Sequence, residues 1–179
     1  MRKILYIIIA LVATLTASQV HAATKSCAHA QQTSTNKQKQ SIMDLPIFER
    51  LVLIVKHFET LHNGNSTWPY VGYGHRKLPG EKYYKGYKMS EAEADALLRK
   101  DLRKFCAIYE KYGDAKYLLG ALAYNCGPGV VNKSSVLAKL KRGDRDIYKA
   151  YTAHCRYKGK FHKGLHRRRI TEFIVLFAP

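Results

Sequence analysis

The chain has 179 residues, and 31 Lys+Arg against 13 Asp+Glu give it a net charge of +18. That length suits one domain with one real core and excludes a chain of several domains. The basic excess points to a polyanionic or negatively charged surface as partner.

The first segment is a targeting signal. Met1-Arg2-Lys3 supplies two basic residues, and Ile4 to Leu15 is an almost continuous apolar run. The run is too short for a comfortable membrane span. It leads to Val20-His21-Ala22, with small residues at the cleavage positions. A secretory signal peptide is predicted over 1–22, cut after Ala22; the alternative is an uncleaved anchor. Thr24-Lys25-Ser26 before Cys27 is too polar for a lipidation site. Residues 23–41 are rich in Ser, Thr, Gln, Asn and Lys and read as a flexible polar tether. The folded part is then 42–179. Taking Arg2 and Lys3 from the 31 basic residues leaves 29 against 13 acidic ones, a charge of +16. An exported chain, periplasmic or extracellular, meets the anions of a cell envelope before nucleic acid.

Asp44-Leu45-Pro46 starts the first helix with an Asp cap and a Pro in the first turn. Phe48, Leu51, Val52, Val55 and Glu59 share one face of it by their spacing. Residues 62–89 lose the helical period and are dominated by Gly, Pro and Tyr. They predict a small twisted hairpin or three-strand sheet. Ser90-Glu91-Ala92-Glu93 reads as a capping box. It launches a long helix with Leu97, Leu98, Leu102, Phe105 and Tyr109 on one side, stopped at Gly113. Shorter helices follow: about 115–125, from Ser134 or Ser135 to Gly143, and from the cap Asp144 past Tyr151. A loop with Gly159 and Gly164 leads to a last helix over about 165–177. The fold class is α+β, mostly helical, with a small β-sheet lobe and a helical lobe joined by the long helix. Four cysteines allow three full pairings, of which Cys106 with Cys155 is favoured in an oxidising compartment. Buried free thiols are the alternative. The cysteines do not resemble a metal knuckle.

Glu59 is the chemical focus. It closes an apolar helix face, and no carboxylate follows it until Glu81. Burial disfavours a charged carboxylate, and the last turn of a helix sets it against the negative end of the dipole. Those are conditions for a general acid. A glutamate at the edge of the stripe, paired with a lysine, is the ordinary alternative. The turn Gly72-Tyr73-Gly74-His75 allows a tight bend and close approach of a ligand to backbone.

Taken together, Phe58-Glu59 and Tyr70-Val71-Gly72-Tyr73-Gly74-His75 resemble the phage-type lysozymes of glycoside hydrolase family 24. The family carries a Phe-Glu-Gly helix end followed by Thr-Ile-Gly-Tyr-Gly-His. Ser90 to Leu102 is similar to the start of its long connecting helix. Ala123-Tyr124-Asn125-Cys126-Gly127, then Ser134-Ser135-Val136-Leu137 with Leu140 and Gly143, are similar to its next two motifs. Gly164-Leu165, Arg168-Arg169 and Glu172 match its last-helix pattern. The resemblance covers roughly 45–177 and implies a lysozyme-like two-lobed fold. It also implies muramidase activity: hydrolysis of the β-1,4 bond between N-acetylmuramic acid and N-acetylglucosamine of peptidoglycan, with no cofactor and no metal. Bacteriolysis by an exported monomer is the expectation, without nucleic acid and without stable membrane insertion after signal cleavage. Carried over residue by residue, Glu59 is the general acid, and Arg168 is its arginine partner with Arg169 as rival. Asn125 lines the cleft, and His75 lies near the acid or fixes the hairpin.

The chain departs from the family in the loop after Glu59. Relatives place an Asp there to position the attacking water, and a Thr before the Gly-x-Gly turn. Here the loop, His62 to Pro69, has no acid, and Tyr70 stands at the Thr position. Inverting hydrolysis uses a second carboxylate roughly 6.5–9.5 Å from the first. Three expectations stay open: Glu81 folds back as the base; Thr67, Ser66 or Tyr70 holds the water; or no water is needed, as in a lytic transglycosylase. Trp68, Tyr70, Tyr73, Tyr83, Tyr84 and Tyr87 form either a sugar-stacking face or the small lobe's core. His166-Arg167-Arg168-Arg169 suits envelope anions, or is a solvated face. The rival function classes are a non-catalytic cationic wall-binding protein and a nucleic-acid binder; no helix carries a clear basic reading face for the latter.

Overall fold

A computed structural model describes residues 41–63 and 65–177. The expected signal peptide, Cys27 and all of the expected tether but Ser41 lie outside the described residues.

Ser41 accepts from the Met43 N–H, and the Asp44 carboxylate accepts from the Ser41 N–H, closing a 3-10 turn over Ile42–Asp44. Asp44 thus caps this turn and not the first helix, which corrects the expectation. Pro46 is the cap of α1, Ile47–Phe58. It has no N–H to leave unpaired there. α1 buries Leu51, Val52, Ile54 and Val55. Each such side chain taken fully from water contributes roughly 1.5–3 kcal/mol. Glu59 stands one residue past the helix, in extended backbone, with its N–H still bonded to the Val55 carbonyl at 2.8 Å.

In the small lobe β1, Tyr70–Val71, pairs antiparallel with β2, His75–Arg76. One bridge joins His62 to Gly72. Of the two sheet expectations the hairpin holds. Pro69, Pro79 and repeated glycines break the ladder before a third strand can form among the described residues.

Ser90 caps α2, Glu91–Ile108, accepting from the Glu93 N–H at 3.2 Å. The Glu93 carboxylate does not turn back to Ser90. It takes the Tyr87 hydroxyl at 2.9 Å and the Lys82 ammonium at 2.7 Å instead. The long helix ends at Ile108, short of the expected stop, and a separate 3-10 turn over Glu110–Tyr112 carries the chain to Gly113. α3, Ala115–Cys126, is apolar nearly all round and buries Leu118, Leu119, Ala121, Leu122 and Ala123. A helix apolar on every side belongs at the centre of a core, and α3 packs against α1, α2, the last helix and the short α4, Pro128–Asn132. α5, Ser135–Lys141, is capped by Ser134. Asp144 does not cap the next helix. It accepts from the Asp146 N–H and pairs with Lys139, and α6 spans only Tyr148–Thr152. The expected glycine loop contains a second hairpin, β3 Arg156–Tyr157 with β4 Lys160–Phe161. α7, Lys163–Leu176, closes the fold under a His162 cap.

The favoured disulfide is not formed: Cys106, Cys126 and Cys155 are all free thiols. Cys106 is committed to the α2–α3 contact, where a Cβ added at Gly120 would lie 2.6 Å from its Sγ. Burial pushes its thiol up to about 12.

Candidate active site

Three elements bring Glu59 into a cluster. The end of α1 presents it, the β1–β2 turn passes over it, and α7 supplies its partner. The Arg168 Nη1 lies 2.6 Å from Glu59 Oε1. Arg168 also gives its Nε to Glu172 Oε1 at 2.8 Å. Glu172 Oε2 takes Arg169 Nη1 at 2.7 Å and the Tyr151 hydroxyl at 2.7 Å. Arg169 Nη2 reaches Asn125 Oδ1 at 2.5 Å. Arg168 is 4% exposed, and Arg169 and Glu172 are fully buried. Two guanidiniums and two carboxylates make the cluster neutral, which is the condition for burying charge at all. Burial works against the charge on Arg168, but Glu172 and Glu59 outweigh it and raise its pKa. Arg168 and not Arg169 meets Glu59, because Arg169 is turned toward Asn125. The helical spacings of three and four between Arg168, Arg169 and Glu172 are the sequence signal for this cluster.

Glu59 is half-buried, and its Oε2 takes no hydrogen bond from any described residue. Gly74 covers that oxygen, at φ +97, and a Cβ added there would lie 3.6 Å from Glu59 Oε2 and 3.7 Å from the Tyr124 hydroxyl. The Tyr124 hydroxyl donates to the Tyr73 carbonyl at 2.7 Å and pins the turn. Burial pushes the Tyr124 phenol well up, so it stays a donor. Gly74 and Tyr124 also line a cleft of about 480 Å3, with Tyr70, His75, Asp101, Phe105 and Asn125 among its other walls; Glu59 stands directly behind Gly74 and is not itself in the lining.

His75 is buried between two acids. Its Nδ1 meets Asp101 Oδ2 at 2.7 Å and its Nε2 meets Glu81 Oε2 at 2.9 Å. The Asp101 hydrogen bond raises its pKa against the burial that lowers it, and Glu81 adds to the rise. Glu81 also accepts the Leu78 N–H at 2.7 Å. Burial works to raise the Glu81 carboxyl, but that N–H and His75 hold it below its ordinary value. Glu81 is therefore tied to the hairpin, contrary to the expectation that it folds back toward Glu59. Sequence reasoning missed Asp101. Its available signal was an acid one turn after Leu97, beside the buried face of α2.

The other candidates separate. Tyr70 is 47% exposed and lines the cleft. The Thr67 hydroxyl donates to the Tyr70 carbonyl. Tyr73 is core: its hydroxyl bonds Glu91, and Lys56 sits over its ring. Tyr83 and Tyr84 each pack edge to face on Tyr87, and none of the three lines the cleft. Of the six aromatics, only Tyr70 lines the cleft. Arg167 is exposed, Arg168 and Arg169 are buried, and His166 is half-buried beside the exposed Phe161 ring. Among the described residues no group of His, Cys, Asp and Glu is arranged to hold a metal.

The sequence model of the Phage lysozyme family matches residues 57–172, from the end of α1 to Glu172. The chain belongs to the phage lysozyme family. A phage-type lysozyme is a peptidoglycan-cleaving glycosidase, and the chain is one by that membership. Solved structures agree on the architecture. The muramidase domain of SpmX from Asticaccaulis excentricus superimposes with a TM-score of 0.63 at 24% identity, covering 75% of this chain and 99% of that one. The endolysin from Escherichia coli O157:H7 phage FAHEc1 gives 0.61 at 22%, covering 75% and 96%. A point mutant of the P22 lysozyme gives 0.57 at 19%, covering 71% and 95%. At these identities the likeness establishes the fold, which is the expected lysozyme-like one. No curated protein matches the chain.

Proposed function

We propose that this lysozyme cleaves the β-1,4 bond between N-acetylmuramic acid and N-acetylglucosamine, with Glu59 as general acid. The carrying observation is the asymmetry at its carboxyl. Oε1 is held by Arg168, while Oε2 takes no hydrogen bond from the described residues and lies under Gly74 at the cleft wall. A fixed carboxyl with one oxygen to spare is suited to give a proton to the departing glycosidic oxygen. Arg168 positions it. Arg169 and Asn125 tie α7 to the end of α3, which sets the width of the cleft beneath Tyr70. His75 fixes the hairpin and does not touch the reacting atoms.

Glu81 is spent on His75 and Leu78, so holding the attacking water falls to hydroxyls, and the proton that the water gives up passes to bulk solvent. Tyr70 is the one exposed in the cleft, with Thr67 behind its carbonyl. In hydrolysis the water oxygen bonds to the sugar's anomeric carbon as the glycosidic bond breaks. The same observation favours a second reading. In a transglycosylase the muramyl 6-hydroxyl closes on that carbon instead, and no water is consumed. The protein acts, on this proposal, as an exported bacteriolytic monomer, and its basic excess draws it to an anionic envelope.

Digestion of purified peptidoglycan with wild type, Glu59→Gln and Glu81→Gln, read by mass spectrometry, tests this. Reducing muramic ends are expected from wild type and Glu81→Gln, and none from Glu59→Gln. Anhydro-muramic ends would replace the hydrolytic reading with the second one. Undiminished turnover by Glu59→Gln would remove Glu59 from the chemistry altogether.

A further inference from the structure

The second hairpin takes no part in the site just described. β3 and β4 set Arg156 opposite Phe161 and Tyr157 opposite Lys160. Cross-strand partners share a face, and successive residues alternate between faces. Each face of this hairpin therefore carries one aromatic ring and one cation. Tyr157 is 60% exposed and Phe161 62%, with Tyr84 the most exposed large hydrophobic side chains of the described residues. Lys158 sits in the turn with its ammonium 5.5 Å over the Tyr157 ring, and Lys163 follows on the same exposed stretch. No acidic residue occurs between Asp146 and Glu172 in the sequence, and Glu172 is fully buried. Among the described residues none of Arg156, Lys158, Lys160 and Lys163 pairs with a carboxylate. The contacts these side chains make are confined to the hairpin and the start of α7: Lys158 and His162 against Tyr157, His166 against Phe161, and Arg156 Nη1 on the Gly159 carbonyl. Most of both rings still faces water, with unneutralised cations on both sides.

We propose that the Arg156–Phe161 hairpin is a docking site for an anionic phospholipid surface. The two-faced arrangement selects that occupant. A single polymer strand would read one face and leave the other ring in water. A headgroup layer surrounds a protruding hairpin, so both rings sit at the interface while the ammonium and guanidinium groups meet phosphates on either side. The attachment is peripheral: no helix among the described residues is long and apolar enough to cross a membrane. It gives the enzyme a second address beside the wall and does not depend on the chemistry assigned to Glu59.

The test is co-sedimentation of the full chain with phosphatidylcholine vesicles, with and without phosphatidylglycerol. Binding to the neutral vesicles reads what the apolar N-terminal run contributes. The variants are Lys158→Glu/Lys160→Glu, Tyr157→Ser/Phe161→Ser and, as a control with the same charge change elsewhere, Lys133→Glu/Lys141→Glu. Melting temperatures confirm that each folds, so the result stands apart from any loss of catalysis. Phosphatidylglycerol should strengthen binding. The lysine pair should weaken it by about tenfold or more, the aromatic pair should weaken it with charge unchanged, and the control should stay within about twofold. The proposal is overturned if the control loses as much as the hairpin lysines, since diffuse charge then suffices. It is equally overturned if the aromatic variant binds as wild type, or if the hairpin captures soluble polyphosphate but not phosphatidylglycerol vesicles.

Discussion

Replacing the Glu59 carboxyl by an amide keeps its volume and removes its proton. Turnover of peptidoglycan by Glu59→Gln should fall by at least about 10²-fold, the scale of positioned acid catalysis. Its melting temperature should fall below wild type while the fold persists, because the amide leaves Glu172 alone to balance two buried guanidiniums; a folded variant by circular dichroism keeps the loss of turnover a statement about chemistry. His75 makes a different prediction. Its pKa is raised above the ordinary 6.5, chiefly by Asp101 and then by Glu81. A group raised on folding gives stability that is full below 6.5 and lost as pH climbs through the raised value. Glu81 is depressed below 4.5, so its contribution is present above that and lost as pH falls through the lower value. Melting temperature followed against pH should therefore decline above about 6.5 in wild type, and less so in His75→Gln; parallel curves would remove the two ion pairs from the stability account. Glu59, Arg168 and the Gly-x-Gly turn were legible as residues of interest. The partners of His75 were not, because Asp101 and Glu81 lie 26 and 6 residues from it in sequence and only the fold sets them on its two nitrogens.

The helices show where local rules suffice and where a neighbour overrides them. The buried faces of α1 and α2 follow from their spacing, and Ser90 and Ser134 cap as their chemistry dictates. Asp44, Glu93 and Asp144 read as helix-start signals of the same kind, yet each finds a different partner within a few residues. A short polar side chain has several local donors in reach, and sequence does not rank them. The second hairpin escaped because its two-residue strands are too short to display a period. The cysteine pairing failed for a packing reason. The Cys106 thiol fills the notch over Gly120, so α2 and α3 approach through a glycine and a thiol. Gly120→Ala should cost about 1–3 kcal/mol in urea unfolding, the usual penalty for overpacking. Adding Cys106→Ala should recover most of that. A double variant no better than the single one would place the strain elsewhere in the contact.

Across the whole sequence basic residues outnumber acidic ones 31 to 13, whereas the buried cluster of Glu59, Arg168, Arg169 and Glu172 is neutral. The excess charge is thus a property of the surface and acts at range, while the site is charge-balanced and acts at contact. Salt separates the two. Raising ionic strength shortens the screening length to a few ångströms, so digestion of intact walls should slow markedly. Cleavage of short neutral oligosaccharides should change little. Equal salt sensitivity for both substrates would mean that the cluster itself, and not the surface, is being screened.

By itself the sequence determined the order of the longer helices and the first hairpin, the lysozyme-like class and the position of Glu59 at the end of the first helix. Each of these is written in spacing or in a short contiguous motif, which a chain displays without being folded. The tertiary structure decided which arginine meets Glu59, that Glu81 serves His75, that only one of six aromatics lines the cleft, and that the thiols stay apart. Those are choices among side chains of equal chemistry. They are settled by where α7, α2 and the first hairpin converge, through contacts whose partners lie up to 109 residues apart.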